Sequence, residues 1–402
     1  MDSTVNRPKT VAEFRTLAQS KLAHAHFNYY ELYSEPGQTA RDSKDAFQRY
    51  RFRPEILNDV SKRDLSTSVL GEPISMPICA AATGAHCLAH VDGEMATAQG
   101  VREAGTLMIQ SAFSNKTFAD VARAAPGGLR WVQTYIFKER EVTRQLIARA
   151  EAAGYKAVVV TVDSPLTGFK AEDQNREFKS FQHDEYRYHN LEVENSEAQA
   201  ASRREGDKFL FVHFGKDMDS SVTWADIKWL KTLTSLPIVC KGILTGRAAR
   251  QAADAGVSAV IVSAHGGRQL DGVPAPIDAL SEVVEAVRGL GVEVYMDGGV
   301  RTGTDVLKAL GRGARAVFVG RPILWGLACG GSYGVREVLE ILRNELDYAM
   351  GLCGCADVRD LPQDIVVHES YYKNQKHVSR AARTLRCPDG RNKTSREKEH
   401  QH

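Results

Sequence analysis

Ala259-Val260-Ile261-Val262-Ser263-Ala264-His265-Gly266-Gly267-Arg268-Gln269-Leu270-Asp271 decides how the chain is read. Its first four residues are apolar and mostly β-branched, which marks a short strand buried on both faces. The run then breaks into polar residues and glycines. A histidine and an arginine three apart emerge at the strand's carboxyl end, where parallel α/β sheets and barrels bind their ligands. Two further strand ends follow the same pattern. One is Val294-Tyr295-Met296-Asp297-Gly298-Gly299-Val300-Arg301, the other Ala316-Val317-Phe318-Val319-Gly320-Arg321.

Working outward, the same unit recurs. Strands are expected at Ile78–Ala82, Leu107–Gln110, Trp131–Tyr135, Ala157–Val162, Pro237–Lys241, Ala259–Val262, Glu293–Asp297 and Ala316–Val319. Helical patterns separate them at Gly93–Ala104, Phe118–Ala125, Arg140–Ala152, Trp224–Leu233, Arg247–Ala253, Ile277–Val287 and Thr304–Leu310. Alternating strands and helices imply parallel pairing with right-handed crossovers, and eight of them imply a closed (β/α)8 TIM barrel in the α/β class. An open doubly wound sheet is the alternative. No Gly-x-Gly-x-x-Gly follows the first strand, which argues against a dinucleotide fold.

Residues 1–60 read as an N-terminal helical cap, with helices at Thr10–Leu22 and His24–Tyr33 and a loop at Ser34–Lys44. Residues 61–367 form the barrel. A polar stretch, 171–214, follows the fourth strand and reads as an inserted lid. Helix is expected at Val335–Leu352. Residues 368–402 make a basic tail, partly disordered. The segment Gln48-Arg49-Tyr50-Arg51-Phe52-Arg53 is basic and aromatic, but the other basic residues are scattered, so a folded surface segment is expected and not a nucleic-acid site. The net charge of +2 over 402 residues gives no global pull toward nucleic acid or membrane. Seven cysteines without regular spacing suggest a reducing compartment. No apolar run could span a membrane, no signal peptide is visible, and Glu399-His400-Gln401-His402 is no peroxisomal tripeptide; a cytoplasmic location is expected.

The last two strand ends suggest an anion site. Gly298, Gly299 and Gly320 let backbone N–H groups approach a phosphate, and Arg301 and Arg321 can grip its oxygens. Barrels often bind phosphate after strands seven and eight.

With these motifs in order, the chain resembles the FMN-dependent L-2-hydroxy acid oxidases, which include glycolate oxidase, lactate oxidase, lactate monooxygenase and mandelate dehydrogenase. The likeness runs from about Val11 to about Val367. It implies non-covalent FMN at the carboxyl-terminal face and a homotetramer or octamer. By the same resemblance His265 is the catalytic histidine, supported by Asp163. Arg268 and Tyr29 hold the substrate carboxylate, and Tyr135 lies near the substrate hydroxyl. Ala82, Thr83, Gly84, Ser111, Gln133, Thr161, Lys241 and Ser263 look like flavin contacts. Asp297, Gly298, Gly299, Arg301, Gly320 and Arg321 match the ribityl and phosphate site. No metal is expected. The implied reaction is oxidation of a small (S)-2-hydroxy acid to the 2-keto acid, with molecular oxygen as acceptor and hydrogen peroxide as product. Oxidative decarboxylation and transfer to a quinone or cytochrome are the alternatives. Two positions depart from the pattern. Lys170 stands where the family usually has a second carboxylate-clamping arginine, with Arg176 nearby. Gly84 stands where the oxidases usually carry alanine, a change shared with lactate monooxygenase. Phe113 also replaces a bulky aromatic common in the glycolate enzymes.

Overall fold

A computed structural model describes residues 7–166, 168, 186–192 and 217–373. Eight parallel strands close into a barrel in chain order. We label them β1 (Ile78–Ala80), β2 (Leu107–Ser111), β3 (Leu129–Thr134), β4 (Val158–Thr161), β5 (Ile238–Ile243), β6 (Ala259–Val262), β7 (Glu293–Asp297) and β8 (Ala316–Val319). Closure is made by β8 on β1, with Val317 opposite Ile78 and Val319 opposite Ala80. The expected fold class is the one observed.

Period-two alternation divides each strand between two cores. In β6, Ala259 and Ile261 join the barrel interior while Val260 and Val262 pack under the helices; all four are fully buried. The interior layer is aromatic. Trp131 from β3, Tyr295 from β7 and Phe318 from β8 pack with ring centroids 5.7–6.0 Å apart. Burying each such ring contributes roughly 1.5–3 kcal/mol. A small antiparallel hairpin, Thr67–Val69 with Glu72–Ile74, adds Val69 and Ile74 to the same cluster. Its Leu70 N–H donates to Glu293 at the start of β7 (3.2 Å). The hairpin thus plugs the amino-terminal end of the barrel, which leaves the carboxyl-terminal mouth for ligands.

Several boundaries differ from the sequence reading. The segment Ser34–Lys44, expected as a loop, contains a helix at Gln38–Asp45. The late helix begins at Arg321, not Val335, and runs to Leu352, leaving helical geometry at Gly330 and Gly331. The basic segment at Tyr50–Phe52 is a short strand paired antiparallel with Val366–His368. Its arginines face carboxylates: Arg49 meets Asp42 and Asp278, and Arg53 meets Asp364. The six described cysteines are free thiols. No helix among the described residues is long and apolar enough to cross a membrane. Of the expected lid, residues 186–192 are described; Lys170, Arg176 and the rest of the lid lie outside the described residues.

Candidate active site

The carboxyl-terminal mouth of the barrel holds a cavity of about 330 Å³. Its walls are made by residues at the ends of β1 to β8 and by the segment between Tyr29 and Lys44. Three groups of side chains divide it.

The first group is an acid–base pair. His265 sits just past β6 in a left-handed backbone conformation (φ 55°), which is costly for a non-glycine residue and typical of functional sites. Ser263 Oγ accepts from its backbone N–H at 3.0 Å and also receives Lys241 Nζ at 2.9 Å. The ring is oriented from behind: His265 Nδ1 lies 2.9 Å from Asp163 Oδ1. A carboxylate can only accept, so Nδ1 carries the hydrogen and Nε2 keeps its lone pair. Asp163 fits there because β5 is irregular between Lys241 and Ile243. Gly242 has φ 108°, and a Cβ on it would lie 2.6 Å from the Asp163 Cβ and Cγ. Burial lowers the His265 pKa from its ordinary value; Asp163 opposes this, and Lys241 and Arg268 add to it. Burial pushes Asp163 up, but His265 and Lys241 outweigh it and hold the carboxyl at about 2. The pair is therefore a neutral imidazole on a carboxylate, poised to take a proton at Nε2.

This electrostatic balance gives a pH prediction. With His265 as the proton acceptor, the working form would be the neutral ring, and its pKa is lowered, so activity should persist to a pH below the ordinary histidine range and fall as His265 protonates. Asp163→Asn removes the charge that raises the His265 pKa. The acid limb should then move to lower pH, while the plateau rate drops by about a hundredfold because the imidazolium loses its counter-charge. The pH profile of anaerobic reduction checks both effects; a limb that moves upward contradicts the assigned sign.

The second group is polar and buried. Ser111 Oγ donates to Gln133 Oε1 (3.0 Å), and Gln133 Nε2 donates to Thr161 Oγ1 (2.9 Å). Lys241 lies 3.5 Å from Asp297. Ala82, Thr83 and Gly84 line the cavity after β1. These donors and acceptors suit a flat heterocycle with polar edges.

The third group is cationic. Arg301, Arg321 and Lys44 line the same end of the cavity as Gly298, Gly299 and Gly320. Gly299 has φ 81°, and a Cβ on it would run into the Ser43 carbonyl. Arg321 donates to the carbonyls of Tyr30 (2.8 Å), Gly266 (3.0 Å) and Leu32 (2.7 Å). Arg301 packs over Trp325 at 5.0 Å. Burial first, then Arg268 and Arg301 against the opposition of Glu31, pulls Arg321 down to about 9. Burial, opposed by Glu31 and Asp305, likewise holds Arg301 at about 10. Buried cations so depressed lack full counter-charge, and an anion such as phosphate would supply it.

Arg268 donates to the carbonyls of Tyr29 (3.0 Å) and Leu32 (3.2 Å), and its guanidinium lies 5.3 Å from the Tyr29 ring centroid. Tyr135 packs against Phe113, with centroids 5.3 Å apart. Every sequence-derived candidate among the described residues lines the cavity, except Asp163 and Ser263, which stand behind His265 and Lys241. Sequence reasoning missed Lys44, Tyr188, Met218 and Tyr30. Lys44 rides on the unrecognised helix, and Tyr188 belongs to the insertion, packing on Phe113 at 5.4 Å.

Barrel, cation-lined wall and acid–base pair together make a site suited to an anionic ligand and to proton transfer. The FMN-dependent dehydrogenase family matches residues 18–368. Human 2-hydroxyacid oxidase 1 is 47% identical over 356 residues, covering 89% of this chain and 95% of that protein. L-lactate oxidase from Nostoc sp. is 41% identical over 362 residues, covering 89% and 98%. A soluble mutant of the membrane-associated (S)-mandelate dehydrogenase from Pseudomonas putida superposes with a TM-score of 0.80 at 31% identity, covering 90% of this chain and all of that one. The chain belongs to the family of FMN-dependent L-2-hydroxy acid oxidases and dehydrogenases. It is an oxidoreductase that carries out FMN-dependent oxidation of a 2-hydroxy acid.

Proposed function

We propose that the enzyme oxidises an L-2-hydroxy acid to its 2-keto acid with molecular oxygen as acceptor, releasing hydrogen peroxide. The observation that carries the reading is the His265–Asp163 pair at 2.9 Å, opening onto a cavity shared with Arg268, Tyr29 and Tyr135. The residues fit FMN: the depressed arginines call for a phosphate, and the Ser111–Gln133–Thr161 chain offers both donors and acceptors. FMN, when bound, supplies the two-electron chemistry, taking electrons from the substrate and passing them to oxygen.

The protein supplies the rest. Arg301 and Arg321 would hold the phosphate of a bound FMN and Asp297 would meet its ribityl chain. Lys241 would supply positive charge to the flavin ring. Arg268 presents a planar fork to the substrate carboxylate, and Tyr29 adds a hydroxyl. Tyr135 faces the substrate hydroxyl. His265 Nε2 takes the proton, and Asp163 stabilises the imidazolium that results. In one catalase-free reaction, oxygen consumed, peroxide released and keto acid formed should be nearly equal. Carbon dioxide with a shortened acid and little peroxide would establish oxidative decarboxylation instead; turnover only with a quinone or cytochrome would remove oxygen as the acceptor.

Gly84 favours the decarboxylation reading as the second one. A Cβ there would lie 3.1 Å from the Phe113 carbonyl oxygen, 3.3 Å from the Phe113 Cβ and 3.8 Å from the Tyr29 hydroxyl. The glycine thus lets the chain pass close to Phe113, and a methyl here would have to push the Phe113 backbone, at the cavity wall, outward by a few tenths of an ångström. We expect Gly84→Ala to slow the reaction with oxygen severalfold and to change substrate-driven reduction much less. Stopped-flow measurement of the two half-reactions separates these effects, and an unchanged oxygen step would refute the steric role.

A further inference from the structure

Asp163 orients the His265 ring, and its carboxylate is shared. Oδ1 accepts from His265 Nδ1 and from Ser164 Oγ, each at 2.9 Å. Oδ2 is buried and takes no hydrogen bond among the described residues. Ser164 is 6% exposed and is held in its turn, since Gln269 Nε2 donates to its Oγ at 2.5 Å. Ser164 Oγ also lies 3.4 Å from His265 Nδ1. The serine thus sits in the angle of the acid–base pair and is tied to the loop that bears Arg268.

The backbone brings these groups together although Ser164 and Gln269 are 105 positions apart. The chain leaving β4 is pressed onto the loop after β6. A Cβ on Gly168 would lie 2.1 Å from the Arg268 carbonyl oxygen and 2.8 Å from the Gln269 Cα. The hydrogen positions follow from valence. A carboxylate only accepts, so the single Ser164 hydrogen is committed to Oδ1. The serine oxygen can then only accept from Gln269, which turns the amide NH2 toward it. His265 Nδ1–H points to the same Oδ1, and its longer approach to Ser164 is at most a weak second branch of that bond. The other ionisable groups facing the pair are Lys241, whose Nζ is held by Ser263, Arg268, and the phenols of Tyr135 and Tyr29. Among the described residues, His265 and Ser164 are the donors to the Asp163 carboxylate.

We propose that Ser164, anchored by Gln269, is a positioning residue that acts on the base through Asp163: it shares Oδ1 with the ring, draws off part of the carboxylate's charge and keeps His265 in its proton-accepting form. This rests on the reading of His265 as the base. A hydrogen bond donated to an ionised carboxylate makes it less basic. Without that bond Asp163 would hold the imidazolium more tightly, and the neutral ring would be lost at a higher pH. A serine that merely wedged Asp163 in place would act with the opposite sign. Its loss would loosen the Asp163–His265 contact and lower the ring's pKa, as Asp163→Asn does.

The FMN-loaded, 15N-histidine-labelled full chain gives the His265 pKa directly, with the signal assigned by its absence in His265→Ala. Ser164→Ala should raise that pKa by roughly half a pH unit to one unit. The acid limb of anaerobic reduction should move up by the same amount, opposite to Asp163→Asn. Ser164→Thr keeps the hydroxyl and should return both readouts to the parent values. Gln269→Leu leaves the hydroxyl but removes the donor that polarises it, so its shift should have the same sign and be smaller. Adding Gln269→Leu to Ser164→Ala should change the pKa no further, because both act through one hydrogen bond. An unchanged or lowered His265 pKa in Ser164→Ala, or no rescue by threonine, overturns the proposal. Should Ser164→Ala fail to fold, an unchanged or lowered pKa in Gln269→Leu overturns it instead. A raised pKa with an unmoved acid limb would leave the Ser164 contact standing and remove His265 as the base.

Discussion

His265→Ala should slow substrate-driven flavin reduction by roughly a thousandfold while leaving FMN bound. The substitution removes the only nitrogen lone pair that the Asp163 contact leaves facing the cavity. It leaves the arginines and the Ser111–Gln133–Thr161 chain in place. Alanine keeps the Cβ that makes this left-handed backbone costly and leaves the buried Asp163 carboxylate without its partner, so the variant should be somewhat less stable than the parent. The measurement is anaerobic stopped-flow reduction together with an FMN stoichiometry after denaturation. Near-normal reduction would remove His265 from the chemistry, and loss of FMN would recast it as a binding residue.

Arg321→Ala should lower FMN affinity by about a hundredfold or more, since charge-assisted bonds to a phosphate contribute about 1.5–3 kcal/mol each. The arginine is buried, held at three carbonyls, and its charge is incompletely balanced within the protein. Binding of the phosphate therefore relieves an existing electrostatic deficit as well as adding contacts. The increase in melting temperature that FMN gives the parent should shrink correspondingly in the variant. Fluorescence titration of the apoprotein with FMN, and with riboflavin lacking the phosphate, checks the assignment. The variant should bind riboflavin as the parent does. Equal losses for both ligands would show that Arg321 acts through the Tyr30 and Leu32 carbonyls and not through the phosphate.

Much of the barrel was legible because its strands are buried on both faces and so read as continuous β-branched runs. The limits of Ala259–Val262, Glu293–Asp297 and Ala316–Val319 coincide with the observed strands. The helix Gln38–Asp45 was not legible, since its cap is remote. Asp271 accepts the backbone N–H groups of Gly37 (3.1 Å), Gln38 (3.0 Å) and Thr39 (2.8 Å) from the loop after β6. No local residue signals that start, and Lys44 was lost with the helix. Tyr50–Phe52 failed for a related reason: three residues pair with a strand about three hundred positions away, and so short a segment carries no period. The glycine–arginine strand ends suggested an anion site by themselves, and folding brings them to one cavity. The Asp163–His265 contact spans 102 positions, and only family resemblance could suggest it in advance. Ser164 carried no signal of its own; its meaning depends on the carboxylate and the amide that folding places on either side of its hydroxyl.

The most direct test mixes purified, FMN-loaded protein anaerobically with glycolate, which has no hand, and with the L and D forms of lactate-sized and aromatic 2-hydroxy acids. With Arg268 and Tyr29 at the carboxylate, Tyr135 at the hydroxyl and His265 at the proton, as proposed above, the site would make a three-point fit that accepts one hand. At least one L-2-hydroxy acid should bleach the flavin and yield one equivalent of 2-keto acid per FMN, while its D form should not. Absence of bleaching by every L acid, or equal bleaching by both hands, would contradict the account.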